Sequence, residues 1–271
     1  MSRIKVPALL IVAGMIFLAG GEALGGDKIT IHGDPCSVPL AKKIGEAFSA
    51  KTGVPVEVSS GLCRTGVTRV SDGEVDIGVS TFNYTPGRMP EGLTNTVIGK
   101  APIVMVVNKE NPVENISRAQ LEGILSGAIT NWKELGWKDL PIGNVQLPPC
   151  VKETMAYSAS PSGPSVHKII PETKGNPVTM TNDLVKANPS SIGMQLYGYE
   201  TGDVKTLKID GKLPGMDSVP AGYVYYENYN ITTRGEPEGV VKEFIEFARS
   251  YQAGEIMLAM KHVPERGGRV D

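Results

Sequence analysis

The chain has 271 residues and a formal net charge of −2 at pH 7, a length that fits one large or two modest domains at about 150 residues each. The balance of 27 basic against 29 acidic residues argues against a nucleic-acid binder held by bulk basic charge, and against a polybasic membrane-surface protein. An aromatic content of 6% speaks against a base-stacking platform, while 41% hydrophobic residues fit a globular core rather than a disordered chain.

Residues 1–25 read as a secretory signal peptide. Arg3 and Lys5 form a short positive region, and Val6 to Ala19 is an apolar stretch shorter than a confident membrane span. Cleavage is expected after Gly25, or alternatively after Ala23, and a single N-terminal anchor helix is the competing reading. All three cysteines, Cys36, Cys63 and Cys150, lie beyond the leader. In an oxidising compartment that odd number calls for an explanation.

The chain then alternates strand and helix. Ile29–Ile31 is a short strand, and Ser37 is placed to cap a helix with Pro39 just inside it. Leu40, Ala41, Ile44, Ala47 and Phe48 recur at helical spacing, and Gly53 ends the run. Residues 55–58 form the next strand. Thr65 is expected to cap a second helix carrying Val67 and Val70. Residues 75–79 and 103–107 are further strands, the latter β-branched and buried. Ser117 and Gln120 have capping-box spacing. Val145 to Leu147 is a strand, and Pro164 can open a helix through Val166, Ile169 and Ile170. Thr181 caps another helix, and Val240 to Tyr251 form the last strong one. This βαβ-type order favours parallel sheets covered by helices.

Common catalytic signatures are missing. There is no G-x-G-x-x-G, Walker A, C-x-x-C or H-E-x-x-H pattern. Ser165–Lys168 matches S-x-x-K and Lys51–Gly53 matches K-T-G, but in the wrong order for penicillin-recognising enzymes and without S-D-N. His32, His167 and His262 share no ligand-type spacing and are left unassigned. No enzymatic activity is expected.

Several segments together resemble the phosphate-binding family of periplasmic solute-binding proteins. They are Asn111-Pro112 through Ile129-Thr130-Asn131-Trp132, Asn188-Pro189-Ser190-Ser191-Ile192-Gly193, Gly211 to Tyr223, and the final helix up to Val263-Pro264. Ser59-Ser60-Gly61 and Asp76-Ile77-Gly78-Val79-Ser80 extend the similarity over nearly the whole mature chain. The resemblance implies an α/β, two-lobed clamshell of type II, with mixed sheets flanked by helices and a two-segment hinge. Lobe 1 would comprise residues 26–105 plus 226–271 and lobe 2 residues 106–225, with crossings near 103–107 and 223–229. A monomeric periplasmic protein without a cofactor is implied, its ligand held in the cleft by four loops.

Those loops depart from the family pattern. The first reads Asp34-Pro35-Cys36-Ser37. The second keeps Ser60 but adds Leu62-Cys63-Arg64-Thr65. The third carries Ser80-Thr81 in place of a serine–aspartate pair, and the fourth, around Ser162, lacks the family's arginine. Cys150 lies upstream in that fourth connection. One cysteine thus falls in each of three ligand loops. Cys36 and Cys63 precede expected helix N-termini, which lower a thiol's pKa.

Three converging thiolates suit a soft centre, so Cys36, Cys63 and Cys150 are expected to hold a trivalent arsenic- or antimony-type metalloid. Ser37, Ser60, Arg64, Thr65, Thr81 and Ser162 would complete the ligand site. The leading expectation is an arsenite-type binder that signals to a membrane histidine kinase. The alternative is a phosphate or other oxyanion binder that delivers solute to an ABC permease. Neither involves nucleic acid.

Overall fold

The computed structural model describes residues 28–62, 64–81, 89–143, 145–147, 168–169 and 177–265. The predicted leader lies outside these residues, as do Pro164, Val166 and Ile170 of the predicted Pro164 helix, whose Ile169 falls instead in a short strand. The first half begins with β1 (Ile29–Gly33), α1 (Val38–Thr52), β2 (Val56–Ser60), α2 (Thr65–Ser71) and β3 (Ile77–Ser80). A long strand, β4 (Leu93–Asn108), leads out of it. The next segment contains β5 (Asn115–Ile116), α3 (Arg118–Ser126), a 3-10 turn (Trp132–Leu135), β6 (Val145–Leu147) and β7 (Lys168–Ile169). It continues through α4 (Pro177–Ala187), β8 (Ile192–Leu196), β9 (Val204–Thr206) and β10 (Lys208–Ile209). The chain returns along β11 (Tyr226–Arg234) and closes with α5 (Gly239–Ala248), α6 (Tyr251–Ala259) and β12 (Val263–Pro264).

The strand order is β2-β1-β3-β11-β4-β8-β6-β7. Strand β4 changes partners along its length. Residues 93–102 pair antiparallel with β11, and residues 103–108 pair antiparallel with β8 and β9. Its second half is apolar on both faces, with Ile103, Val104, Met105, Val106 and Val107 all buried, as expected for a strand covered on both sides. The returning segment is tied to the crossing by two hydrogen bonds: Ile103 N donates to the Tyr225 carbonyl at 2.8 Å, and the Tyr223 hydroxyl donates to the Ile103 carbonyl at 2.7 Å. The molecule is thus an α/β, two-lobed fold with mixed sheets flanked by helices.

Helix α1 presents Leu40, Ala41, Ile44 and Phe48 to the core, at the spacing read from the sequence. Phe48 meets Phe244 and Phe247 edge-to-face at centroid distances of 5.3 and 5.6 Å, so it joins α1 to α5. Burying one such ring contributes about 1.5–3 kcal/mol. Gly53 ends α1 in the left-handed conformation, φ 78°, which glycine adopts without steric cost. The Ser117–Gln120 capping box forms as expected. In the other half, Trp132 is fully buried and donates its indole N–H to the Ser190 carbonyl at 2.8 Å.

Four local expectations are corrected. The Ser37 side chain does not cap α1; Asp34 does, as described below. Arg64, with φ 67°, precedes α2, and Thr65 is its first helical residue, not its cap. Thr181 lies inside α4, which starts at Pro177, because proline is well suited to a first helical position. The last helix is two, broken after Ala248 and restarted by Ser250, whose hydroxyl accepts from Ala253 N.

Candidate ligand site

Strand direction locates the site. β1, β2 and β3 are mutually parallel, and β11 is antiparallel to both β3 and β4. The three strands therefore run the same way as β4, toward the second half. β6 and β8 are parallel to each other and antiparallel to β4, so they run back toward the first. The carboxyl ends of both strand sets thus face one another at the level of Pro102–Ile103. Ligands of open α/β sheets bind outside such ends.

The loop after β1 is organised by Asp34, which is 1% exposed. Its Oδ1 accepts the backbone N–H groups of Cys36 at 2.9 Å and Ser37 at 3.0 Å, closing the N-terminus of α1. Its Oδ2 accepts the N–H of Thr81 at 3.0 Å, across the sheet at the end of β3. The Ser37 and Thr81 hydroxyls add bonds of 3.1 and 3.3 Å. Burial pushes the Asp34 carboxyl up and these donors pull it down, burial being the larger influence.

Cys36 sits inside this loop as a free, buried thiol. Burial first, and then the Asp34 and Glu227 carboxylates, raise its pKa well above the ordinary thiol value, while a hydrogen bond with Thr81 acts the other way. The lowered pKa expected from a helix N-terminus is not found. The Asp34 carboxylate already occupies the amides that would have stabilised a thiolate.

The loop after β2 is organised by His32, one residue before the end of β1. Thr65 donates its hydroxyl proton to the Leu62 carbonyl at 2.6 Å, so its oxygen accepts from His32 Nε2, 3.1 Å away. Arg69 can only donate, and its Nη1 lies 3.0 Å from His32 Nδ1. The Thr65 and Arg69 contacts favour the neutral Nε2–H tautomer, in which the Ser59 hydroxyl donates either to Nδ1 or to the Ile31 carbonyl, 3.1 Å away. Ser59 Oγ lies 2.8 Å from Nδ1. Burial, then Arg69, lower the His32 pKa, with Glu74 opposing. A Cβ at Gly61 would overlap His32 Nε2 and Thr65 Oγ1, so only glycine lets these groups meet. Helix α2 approaches the sheet as closely: a Cβ at Gly66 would stand 2.6 Å from the His32 carbonyl oxygen, and one at Gly78 2.7 Å from that of Gly66.

An aromatic seam backs the crossing. The His262 ring stacks on Tyr199, from the loop after β8, at 6.3 Å and 23°, and contacts Tyr229 of β11 at 4.8 Å. The Tyr229 hydroxyl lies 2.9 Å from His262 Nε2. Burial drives the His262 pKa down to about 4. It drives Tyr199 up to about 12, helped by the proximity of Cys36 and of the Asp34 carboxylate.

Among the expected site residues, Cys36, Ser37 and Thr81 are brought together around Asp34. Ser60, Arg64 and Thr65 stand at the neighbouring strand end, Ser60 and Arg64 exposed. Cys63, Cys150 and Ser162 lie outside the described residues. No group of three histidine, cysteine or acidic side chains able to hold a metal ion occurs among the described residues. Two organising residues went unassigned in the sequence. Asp34 carries a usable signal, since Asp34-Pro35 is a cap followed by a proline in the first turn. His32 has a weaker one: it alternates with Ile29 and Ile31 on the strand.

The fold and facing strand ends define a two-lobed solute-binding clamshell, and a periplasmic-binding-protein (PBP) superfamily domain is matched over residues 19–149. The chain is 31% identical over 242 residues to the phosphate-binding protein PstS of Bacillus subtilis, covering 86% of this chain and 78% of that protein. It belongs to that PstS family. A Clostridium perfringens substrate-binding protein assigned to phosphate ABC transport, solved with bound phosphate, superposes with a TM-score of 0.78 at 24% identity. That match covers 89% of this chain and all of the other. A Vibrio cholerae ABC-type phosphate transport receptor gives 0.71 at 22% identity, over 88% of this chain and all of that one.

Proposed function

We propose that this protein is an exported oxyanion-binding protein, with phosphate as its foremost ligand, that hands solute to an ABC permease. The observation that carries this reading is the kinship with B. subtilis PstS, which extends over 242 residues and so includes both sides of the crossing. The facing carboxyl ends of the two strand sets supply a cleft of the right kind. We place the lobe division just beyond the partner change in β4, with residues 26–105 and 226–271 in one lobe and 106–225 in the other. Ser60, Arg64 and the loop containing Ser162 would line the seat, with Arg64 as its cation in place of the missing fourth-loop arginine. Ser37, Thr65 and Thr81 shape the loops, since their hydroxyls are engaged with Asp34, Leu62 and His32.

The metalloid-sensing reading finds no counterpart in the matched relatives, which are named for phosphate. Cys36, the cysteine among the described residues, is buried and held protonated. Isothermal titration under reducing conditions tests the assignment. Saturable one-to-one binding of phosphate is the expected result. Binding of arsenite with none of phosphate or arsenate would overturn it.

A further inference from the structure

We propose that the Tyr197-Gly198-Tyr199 turn and the Lys261-His262 pair form a third joint between the lobes, one that stays in contact while the cleft opens and closes and serves as the pivot of that motion. The inference goes beyond the oxyanion reading and needs only the two-lobed fold. Strand β4 and the return into β11 are covalent crossings; this joint is made by packing. It lies on the edge of β4 opposite β11. Along that edge β8 pairs with residues 103–107 and β12 with residues 99 and 100, both antiparallel to β4. The two strands thus follow one another in the same direction, one from each lobe. The end of β8 meets the start of β12 beside Ala101 and Pro102, where β4 changes partners. Tyr197 N fixes the level by donating to the Pro102 carbonyl at 2.8 Å.

What crosses the joint is ring and backbone packing. The His262 ring stacks on Tyr199 at 6.3 Å and 23°, and Lys261 Nζ stands 5.4 Å from the centre of the Tyr197 ring. Gly198, with φ 97°, lets the two backbones approach, since a Cβ there would stand 3.1 Å from Lys261 Cβ. Hydrogen bonds instead hold each surface to its own lobe. On one side the Tyr199 carbonyl accepts from Asn182 Nδ2 at 2.8 Å, and Gly198 N donates to Glu200 at 2.7 Å. On the other, Lys261 N and His262 N donate to the Leu258 and Met257 carbonyls at 2.9 and 2.8 Å, and the Tyr229 hydroxyl meets His262 Nε2 at 2.9 Å. Lys261 is held in the left-handed region at φ 62°, a conformation that persists in a lysine only where its surroundings impose it. Two braced surfaces therefore meet through apolar burial, which is non-directional. Hydrogen bonds weaken steeply when bent, and here they are kept off the line of motion. Such a contact can roll through small angles without parting.

The test is a cross-link across the joint. Gly198→Cys with Lys261→Cys, in a full chain whose Cys63 and Cys150 are replaced by serine, brings two Cβ atoms close to the roughly 3.5–4.5 Å that a disulfide needs. Mild oxidation of the ligand-free protein should join them almost completely. The oxidised form should then bind inorganic phosphate within about threefold of the reduced form, because a joint that is closed in both states costs nothing to lock. Incomplete joining in the folded protein, or a larger loss of affinity on oxidation, overturns the proposal, since the contact would then part during the motion. Should the double variant not fold, Tyr199 decides. Tyr199→Leu removes the stack and should weaken phosphate binding at least about threefold, because a loosened joint gives the open form freedom that closure must remove. Tyr199→Phe keeps the ring and should bind as the wild type does. Wild-type affinity in the leucine variant, or equal weakening in both, overturns the proposal. Absence of phosphate binding in the wild type overturns the oxyanion reading instead, and the extent of cross-linking then decides the joint by itself.

Discussion

His262 couples the aromatic seam at the crossing to pH. It is fully buried against Tyr199 and Tyr229, and its pKa is lowered from 6.5 to about 4, chiefly by burial. Between those values the unfolded chain holds a proton that the folded chain refuses. Stability therefore rises with pH across this window, is fully present above about 6.5, and is lost progressively toward 4. A displacement of about 2.5 units at 1.36 kcal/mol each amounts to about 3 kcal/mol. For a protein of this size that is roughly 6–12 °C in melting temperature. His262→Gln keeps a polar atom near the Tyr229 hydroxyl and cannot take up a proton in this range. Once the variant's pH-independent packing loss is subtracted, thermal unfolding of both proteins should give curves that coincide above pH 6.5 and separate by about that amount near pH 4, where the buried His262 destabilises only the wild type. His32 and the carboxylates contribute equally to both proteins and drop out of the difference. Parallel pH dependences for wild type and His262→Gln would refute the argument.

Further outcomes follow from single contacts. His32→Ala removes the ring's contacts with Ser59, Thr65 and Arg69, while both hydroxyls keep their carbonyl acceptors, and should cost about 0.5–1.5 kcal/mol in denaturant unfolding while weakening phosphate binding; unchanged affinity would detach His32 from the site. Gly66→Ala forces a Cβ against the His32 carbonyl oxygen and should destabilise by about 1–3 kcal/mol, read from the urea midpoint. Trp132→Phe removes the 2.8 Å indole donor to the Ser190 carbonyl, which keeps the Gly143 N–H at 3.0 Å, and leaves space in a fully buried site, at a cost of about 1–3 kcal/mol by the same measurement. Cys36, buried and protonated, should resist an aromatic disulfide reagent until the protein unfolds. Cys36→Ala should also leave phosphate affinity within about twofold; a large loss would restore a ligand role for the thiol.

Much of the fold could be read from periodicity where one face is apolar and the other polar. Helix α1 is the clearest case: every residue on its predicted stripe except the partly buried Ala47 is buried, and Gly53 stops it as expected. Strand β11 escaped because its sequence, YENYNITTR, is polar at positions that turn out to be buried. Glu227, Asn230 and Thr232 lie inside a central strand flanked by β3 and β4. An alternation rule that sends polar residues outward cannot find such a strand. The final helix was merged across Arg249 and Ser250 because both helices are apolar enough to sustain one stripe, while the break is carried by the Ser250 cap.

The candidate site was legible as a set of loops but not as a set of contacts, and Thr81 shows why. Read along the chain, a threonine stands where the family has an aspartate, and a carboxylate is missing. In space the missing group returns from 47 positions earlier, because β1 and β3 are adjacent and parallel and bring Asp34 level with the end of β3. The same carboxylate caps α1 in place of Ser37, occupies the amides expected to activate Cys36, and engages the hydroxyls of Ser37 and Thr81. Those three residues were read separately, Ser37 as a helix cap, Cys36 as an activated thiol and Thr81 as a lost carboxylate. Their common cause is one register relation between two strands, which spacing along the sequence does not encode. A site built on strand ends is therefore predicted better by asking which loops share an edge than by asking what each loop has lost.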